Sequence, residues 1–212
     1  KSDFYFISTK DDESTLEKIR EMVSSRVKEA FDIDPKTGIQ LLVPMHEEAL
    51  GTKNTNIEVQ NILNYAEQDG LKKGPFIFKK NDNIMQIKNN YEKMVFNGDV
   101  GIIERVGQDG VLAVFGDQEV YYTKKEMDEI TLSYSITIHK SQGSEYPAVI
   151  IPISHKFSSM LDRSLLYTAV TRGKSLVIVI GSKPLFEKAL TNVNSRKRHT
   201  CLKEKLISAF NE

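Results

Sequence analysis

Three short runs limit what this chain can fold into: Ile39–Val43 (Ile-Gln-Leu-Leu-Val), Val149–Ile153 (Val-Ile-Ile-Pro-Ile) and Ser175–Ile180 (Ser-Leu-Val-Ile-Val-Ile). A strand with one face in water alternates apolar and polar residues. A near-continuous apolar run is that of a strand covered on both faces. Such strands sit in parallel sheets with helices above and below, so the fold class is α/β. Pro152 argues for a strand end or an edge, because proline brings no N–H to the ladder. The spacing also predicts the helices. Leu16, Ile19, Val23, Val27 and Phe31 recur at steps of three and four through Asp11–Phe31, and Asp11, Asp12 and Glu13 favour its amino end. A strand at Asp3–Ser8 precedes it, and Asp34–Gly38 reads as a turn. A helix bearing Ile57, Ile62 and Leu63 runs to about Ala66, and others cover Arg163–Thr171 (N-capped by Asp162), Leu185–Leu190 and Lys203–Phe210.

From about Lys80 to Ile130 the rhythm changes. Ile84–Lys88, Val100–Glu104, Val111–Phe115 and Glu119–Tyr122 are short strand candidates separated by Asn97-Gly98-Asp99, Gln108-Asp109-Gly110 and Gly116-Asp117-Gln118. Closely spaced strands with Asp-Gly turns suggest a small β-barrel. The expected plan is a discontinuous parallel-sheet domain, 1–79 and 132–212, with the barrel inserted at 80–131.

Composition excludes some classes. The 29 basic and 29 acidic residues cancel, so any nucleic-acid surface must be a local patch. One cysteine, Cys201, leaves no internal disulfide and no cysteine-based zinc site, as in a reducing cytoplasm. No apolar run has membrane length and no carboxylate cluster suggests a two-metal nuclease, so neither a membrane partner nor a metal site is expected. The chain starts at Lys1 with what reads as a strand, and is expected to be a piece of something longer.

Two stretches could carry chemistry. Ser133–His139 reads as a strand with Ser135, Thr137 and His139 on one face, running into Lys140-Ser141-Gln142-Gly143-Ser144-Glu145. A cation, a hydroxyl, an amide and a flexible backbone at the carboxyl end of a strand suit phosphate oxygens. His139 could equally be an ordinary satisfied histidine. In Leu165–Lys174, a helix would place Leu166, Ala169 and Val170 on its apolar face and Ser164, Thr168 and Arg172 on its polar one. Gly173 would end it in a left-handed conformation, with Arg172 at the lip of the sheet. Arg172 could fork onto a phosphate or merely ease the helix dipole. Asn89-Asn90-Tyr91 could stack and hydrogen-bond single-stranded bases, or form a turn. Arg196-Lys197-Arg198-His199 is a basic run of the kind that usually faces solvent.

Taken together, these stretches resemble superfamily 1 DNA helicases of the RecD/TraA type (exodeoxyribonuclease V alpha chain-like), in their C-terminal part. Thr137–Glu145 resembles helicase motif V, Tyr167–Arg172 resembles motif VI, and Val43-Pro44-Met45-His46 through Gly51 resembles the motif IV region. Ile87–Tyr91 and Phe96–Gly101 resemble that family's linking segment.

The resemblance implies a RecA-like second motor domain with an inserted SH3-like barrel, and 5′-to-3′ translocation. It implies that Arg172 is an arginine finger and that Gly143 and Glu145 approach the nucleotide. Thr137 and His139, with Lys140, Pro44, Met45, Asn89, Asn90 and Tyr91, would line the single-stranded DNA track. ATP and Mg2+ are the implied cofactors, the Mg2+ held by an N-terminal motor domain of the same chain. That domain, single-stranded DNA and the other subunits of a helicase–nuclease complex are the implied partners. No Gly-x-x-x-x-Gly-Lys-Ser/Thr loop is present, so this stretch alone is expected to be inactive as an ATPase. His46-Glu47-Glu48 stands where relatives carry a basic residue in motif IV. The competing reading is a stand-alone nucleic-acid-binding module with no motor role.

Overall fold

The computed structural model describes residues 2–67, 69–193 and 201–210, the side chains of 202–204 excepted. The chain begins β1 (Phe4–Ser8), α1 (Asp12–Glu21), a π-turn (Met22–Arg26), α2 (Val27–Phe31), a single-turn α3 (Pro35–Gly38), β2 (Ile39–Val43) and α4 (Thr52–Leu63). Seven short strands follow: β3 (Gly70–Lys73), β4 (Phe76–Lys79), β5 (Asn83–Gln86), β6 (Val100–Val106), β7 (Gly110–Phe115), β8 (Gln118–Thr123) and β9 (Ile130–Leu132). The chain then runs through β10 (Ser135–Thr137), β11 (Tyr146–Ile153), α5 (Arg163–Val170), β12 (Gly173–Gly181), α6 (Lys183–Thr191) and α7 (Leu202–Phe210). The basic run 196–199 lies outside the described residues.

Five strands form one parallel sheet in the order β1-β12-β11-β2-β10. Every residue of β2 is buried, as are residues 148–153 of β11 and 176–181 of β12. This is the expected parallel α/β layer, with helices on its faces. β11 is a central strand and not an edge. Pro152 is nonetheless tolerated, because β2 pairs only with Ala148, Val149 and Ile150 and has left the ladder before Pro152 is reached. The first long helix is held at its start by a capping box, in which Asp11 Oδ1 accepts the Ser14 N–H at 2.8 Å. It continues through the π-turn, where the expectation was an unbroken α-helix, and still buries Leu16, Ile19, Val23 and Val27.

The second unit is SH3-like: an antiparallel sheet in the order β8-β7-β6-β5-β9. The β3–β4 hairpin was not foreseen in the sequence. It falls within 70–79 and tucks Phe78, 1% exposed, into the common core.

The two units meet around one carboxylate. Asp82 is fully buried and accepts four hydrogen bonds, from Gln60 Nε2 (2.5 Å), Asn64 Nδ2 (2.7 Å), the Lys79 N–H (2.7 Å) and the Tyr134 hydroxyl (2.9 Å). Burial raises its pKa, against the lowering pull of these donors. A carboxyl group whose folded pKa exceeds its unfolded one binds protons more tightly in the native state. Its contribution to stability is therefore greatest below the ordinary carboxylate range and is lost as pH rises through the raised folded value. Asp82→Asn turns an amide N–H2 toward two donors and should cost about 1–3 kcal/mol at neutral pH. Urea denaturation across pH 4–7 provides the check. The stability gap between wild type and Asp82→Asn should narrow as pH rises, and a constant gap would contradict this account.

Candidate functional site

β2 and β10 end level with each other, Val43 opposite Thr137. The strand expected to reach His139 stops there. Ile138–Ser141 is a 3-10 turn capped by Thr137, whose hydroxyl accepts the Lys140 N–H at 3.4 Å, while Ser141 Oγ donates to the Ile138 carbonyl at 2.7 Å. Residues 135–138 are all buried, so the bend after Thr137 is revealed by those side-chain bonds and not by burial. His139 is therefore not on a face with Ser135 and Thr137; it is exposed on the turn.

A cavity of about 410 Å³ opens at this carboxyl end of the sheet. Thr137 and Lys140 line one side, His46, Thr52 and Asn56 another, and Met85 and Ile87 of the barrel close it. Lys140 has no carboxylate partner among the described residues, and burial lowers its pKa. An ammonium held partly out of water without a counter-ion favours an anion beside it. His46 Nδ1 lies 2.9 Å from Thr52 Oγ1, Pro44 is buried and Met45 half-buried, so those two shape the lip more than they reach from it.

The barrel loop 88–98 disposes of its amides internally. Asn89 Oδ1 accepts the Asn97 N–H (2.9 Å), and Asn90 bridges Glu129 (2.9 Å) and the Lys93 N–H (3.0 Å). Tyr91 is left 72% exposed, edge-on to Phe96 with ring centroids 5.8 Å apart.

Arg172 lies at the other end of the sheet. Tyr146 pairs with Gly173 at the amino ends of β11 and β12, whereas Pro152 pairs with Ile180 near their carboxyl ends. The two ends are thus separated by roughly 20 Å along the strands. The lip at which Arg172 was expected is thus not the rim that holds Thr137 and His139. Its guanidinium donates to the carbonyls of Thr168 (3.2 Å) and Ser144 (3.0 Å) and to Thr171 Oγ1 (3.1 Å). Glu145, next to Ser144, pairs with Lys174 at 3.2 Å in solvent, and Gly143 sits at φ +86 with open space where a side chain would be. Gly173 does not close α5 in a left-handed conformation, as its position suggested. It is needed for room: a Cβ there would lie 2.9 Å from the Leu176 carbonyl.

One functional feature escaped the sequence reading. α4 buries Thr52, Thr55, Asn56 and Gln60, a largely polar face, and Asn64 just beyond it. The signal was present as Thr52, Asn56, Gln60 and Asn64 at steps of four. Asn56 supplies the missing neighbour of the edge strand β10, donating to the Ser135 carbonyl (2.8 Å) and accepting its N–H (2.9 Å).

Residues 132–180 match the UvrD-like helicase C-terminal domain. That match takes in β10, β11, α5 and nearly all of β12, with both of the stretches singled out in the sequence, so this part of the chain is similar to the C-terminal domain of UvrD-like helicases. Residues 55–116 match the ATP-dependent RecD-like DNA helicase SH3 domain, which narrows the likeness to the RecD type. The ATP-dependent RecD2 DNA helicase of Deinococcus radiodurans is 29% identical over 168 residues, covering 79% of this chain and 23% of that protein. The RecBCD enzyme subunit RecD of Mycolicibacterium smegmatis is 39% identical over 100 residues, 47% of this chain and 18% of that one. The chain thus spans about a fifth of the length of these relatives. A Pif1 helicase from Bacteroides, solved with ADP-AlF3 and single-stranded DNA, aligns at 14% identity over 92% of this chain and 49% of that one, with a TM-score of 0.48.

Asn56→Ala removes both bonds to Ser135 and should destabilise the chain by about 2–3 kcal/mol. Amide exchange at Ser135 should rise with it. Unchanged protection there would show that Asn56 does not hold the edge.

Proposed function

We propose that this chain is the C-terminal motor half of an ATP-dependent DNA helicase moving 5′ to 3′ on single-stranded DNA. The observation that carries the reading is a covalent and hydrogen-bonded link between the two ends of the sheet. The segment that starts at Thr137 and Lys140 ends at Ser144, whose carbonyl holds the Arg172 guanidinium.

Arg172 fits a phosphate. Its partners are carbonyls and a hydroxyl, with no carboxylate among the described residues, so its charge is not spent. ATP, with Mg2+, supplies the phosphoryl-transfer chemistry when bound, and the phosphate loop and metal ligands belong in this proposal to the N-terminal motor domain of the same chain. Arg172 exchanges the Ser144 carbonyl for a phosphate oxygen, a stronger, charge-assisted partner. That exchange frees the backbone around Gly143, whose positive φ lets it swing without a side chain to clear. Glu145 approaches the nucleotide once its solvent-exposed pair with Lys174 opens, at little cost. The 3-10 turn at 138–141 carries the displacement to Thr137, His139 and Lys140, which grip strand phosphates, with Tyr91 offering a ring for stacking.

In the full-length enzyme, Arg172→Ala should cut DNA-stimulated ATP turnover by at least about a hundredfold and leave single-strand affinity within about twofold. Phosphate release and fluorescence anisotropy measure the two. Wild-type turnover in that variant would remove Arg172 from the mechanism.

A further inference from the structure

A corner of the barrel gathers lysines that neither end of the sheet uses. Lys73, on the β3–β4 hairpin, donates to the Lys124 carbonyl at 2.9 Å and pairs with Asp128 at 3.1 Å. This contact sets the hairpin turn against the turn that follows β8. It sets the strand that carries Lys72 and Lys73 beside the turn that carries Lys124 and Lys125, with Lys72 on the outer face of the hairpin opposite Lys73, and Lys72, Lys124 and Lys125 are exposed with no ion pair among the described residues. The nearby carboxylates do not cancel them. Asp128 is taken by Lys73, and Glu126 by Lys93 at 2.8 Å and by Thr123. Asp109, whose carbonyl accepts the Lys124 N–H at 2.9 Å, is a further acidic residue beside this turn. The chain as a whole is neutral, so this excess is a product of placement.

The corner is stiff. The hairpin is paired in register from Gly70–Lys79 to Lys73–Phe76, turns through Gly74 at φ +57, and is pinned at its tip by Lys73. Lys72 stands opposite Ile77, and both are exposed, so this face of the hairpin has no packing role. None of the cavities at the sheet ends includes these lysines. Single strands are held in grooves with stacking side chains, whereas a duplex presents phosphates at fixed spacing on a rod and can be met by point charges on a convex surface.

We propose that this lysine corner binds the phosphate backbone of duplex DNA, separately from the single-strand track. The choice of DNA over another polyanion rests on the helicase reading; the charge array does not. The test uses the 212-residue chain with a labelled blunt duplex and a labelled single strand. The triple variant Lys72→Glu, Lys124→Glu, Lys125→Glu should lose at least about tenfold in duplex affinity and flatten the logarithmic salt dependence by about 2–3, with single-strand affinity nearly unchanged. Lys140→Ala should do the reverse. The corresponding triple alanine variant, with its thermal midpoint, separates charge loss from misfolding. Wild-type duplex affinity in both triple variants, no duplex binding by the wild type, or an equal loss for both DNAs would each overturn the proposal. If Lys140→Ala leaves single-strand binding intact while the triple variants lose the duplex, the strand-track reading fails and the lysine corner stands.

Discussion

The Asp82 carboxylate holds the two units of this molecule in one arrangement. It is a buried charge, and its four donors come from α4 and the residue just beyond it, from the last residue of β4 and from Tyr134 on the return path to the sheet. Removing such a group from water is costly, and the cost is recovered only when every lone pair finds a donor at the right place. Any rotation of the barrel would strip donors from it. The same charge, after burial itself, keeps the Tyr134 hydroxyl protonated, so that it remains a donor. Two further bonds brace the joint: Asn83 Nδ2 to the Lys36 carbonyl at 2.7 Å, and Gln40 Nε2 to the carbonyls of Ser133 and Tyr134, both at 3.0 Å.

With the barrel fixed, the cavity at the carboxyl end of the sheet has a defined shape, because Met85 and Ile87 form one of its walls. Lys140 is partly desolvated there, which favours an anion beside its ammonium. The amino end of the sheet is built differently. Arg172 rests on neutral oxygens, so it is both held and available. The eight residues between Thr137 and Tyr146 are a short physical path between the two ends of the sheet. They contain one turn of 3-10 helix, stiffened by side-chain bonds, followed by a glycine that can pivot.

α4 shows why a helix can turn a polar face inward. It covers the open edge of β10 and the carboxylate joint, and both present backbone or charged groups that an apolar side chain would leave unsatisfied. Asn56, Gln60 and Asn64 are there because buried polar groups require partners. A hydrophobic pattern search assigns such a helix by Ile57, Ile62 and Leu63, which are only half-buried.

The sequence by itself determined the parallel α/β layer, the helix that leads to Arg172 and its Asp162 cap, most of the barrel strands and the helicase-like stretches. Each of these is written in local periodicity, turn residues or contiguous motifs. The tertiary structure alone decided that Thr137 and Arg172 stand at opposite ends of the sheet, that His139 leaves its strand, that Asn89 and Asn90 spend their amides on the barrel, and that Gly173 is needed for space. It also decided that the hairpin of Lys72 and Lys73 lies against the turn of Lys124 and Lys125. Those facts depend on which distant segments pair and in what register. That is settled by long-range packing and by the satisfaction of buried hydrogen bonds, neither of which leaves a mark in the spacing of neighbouring residues.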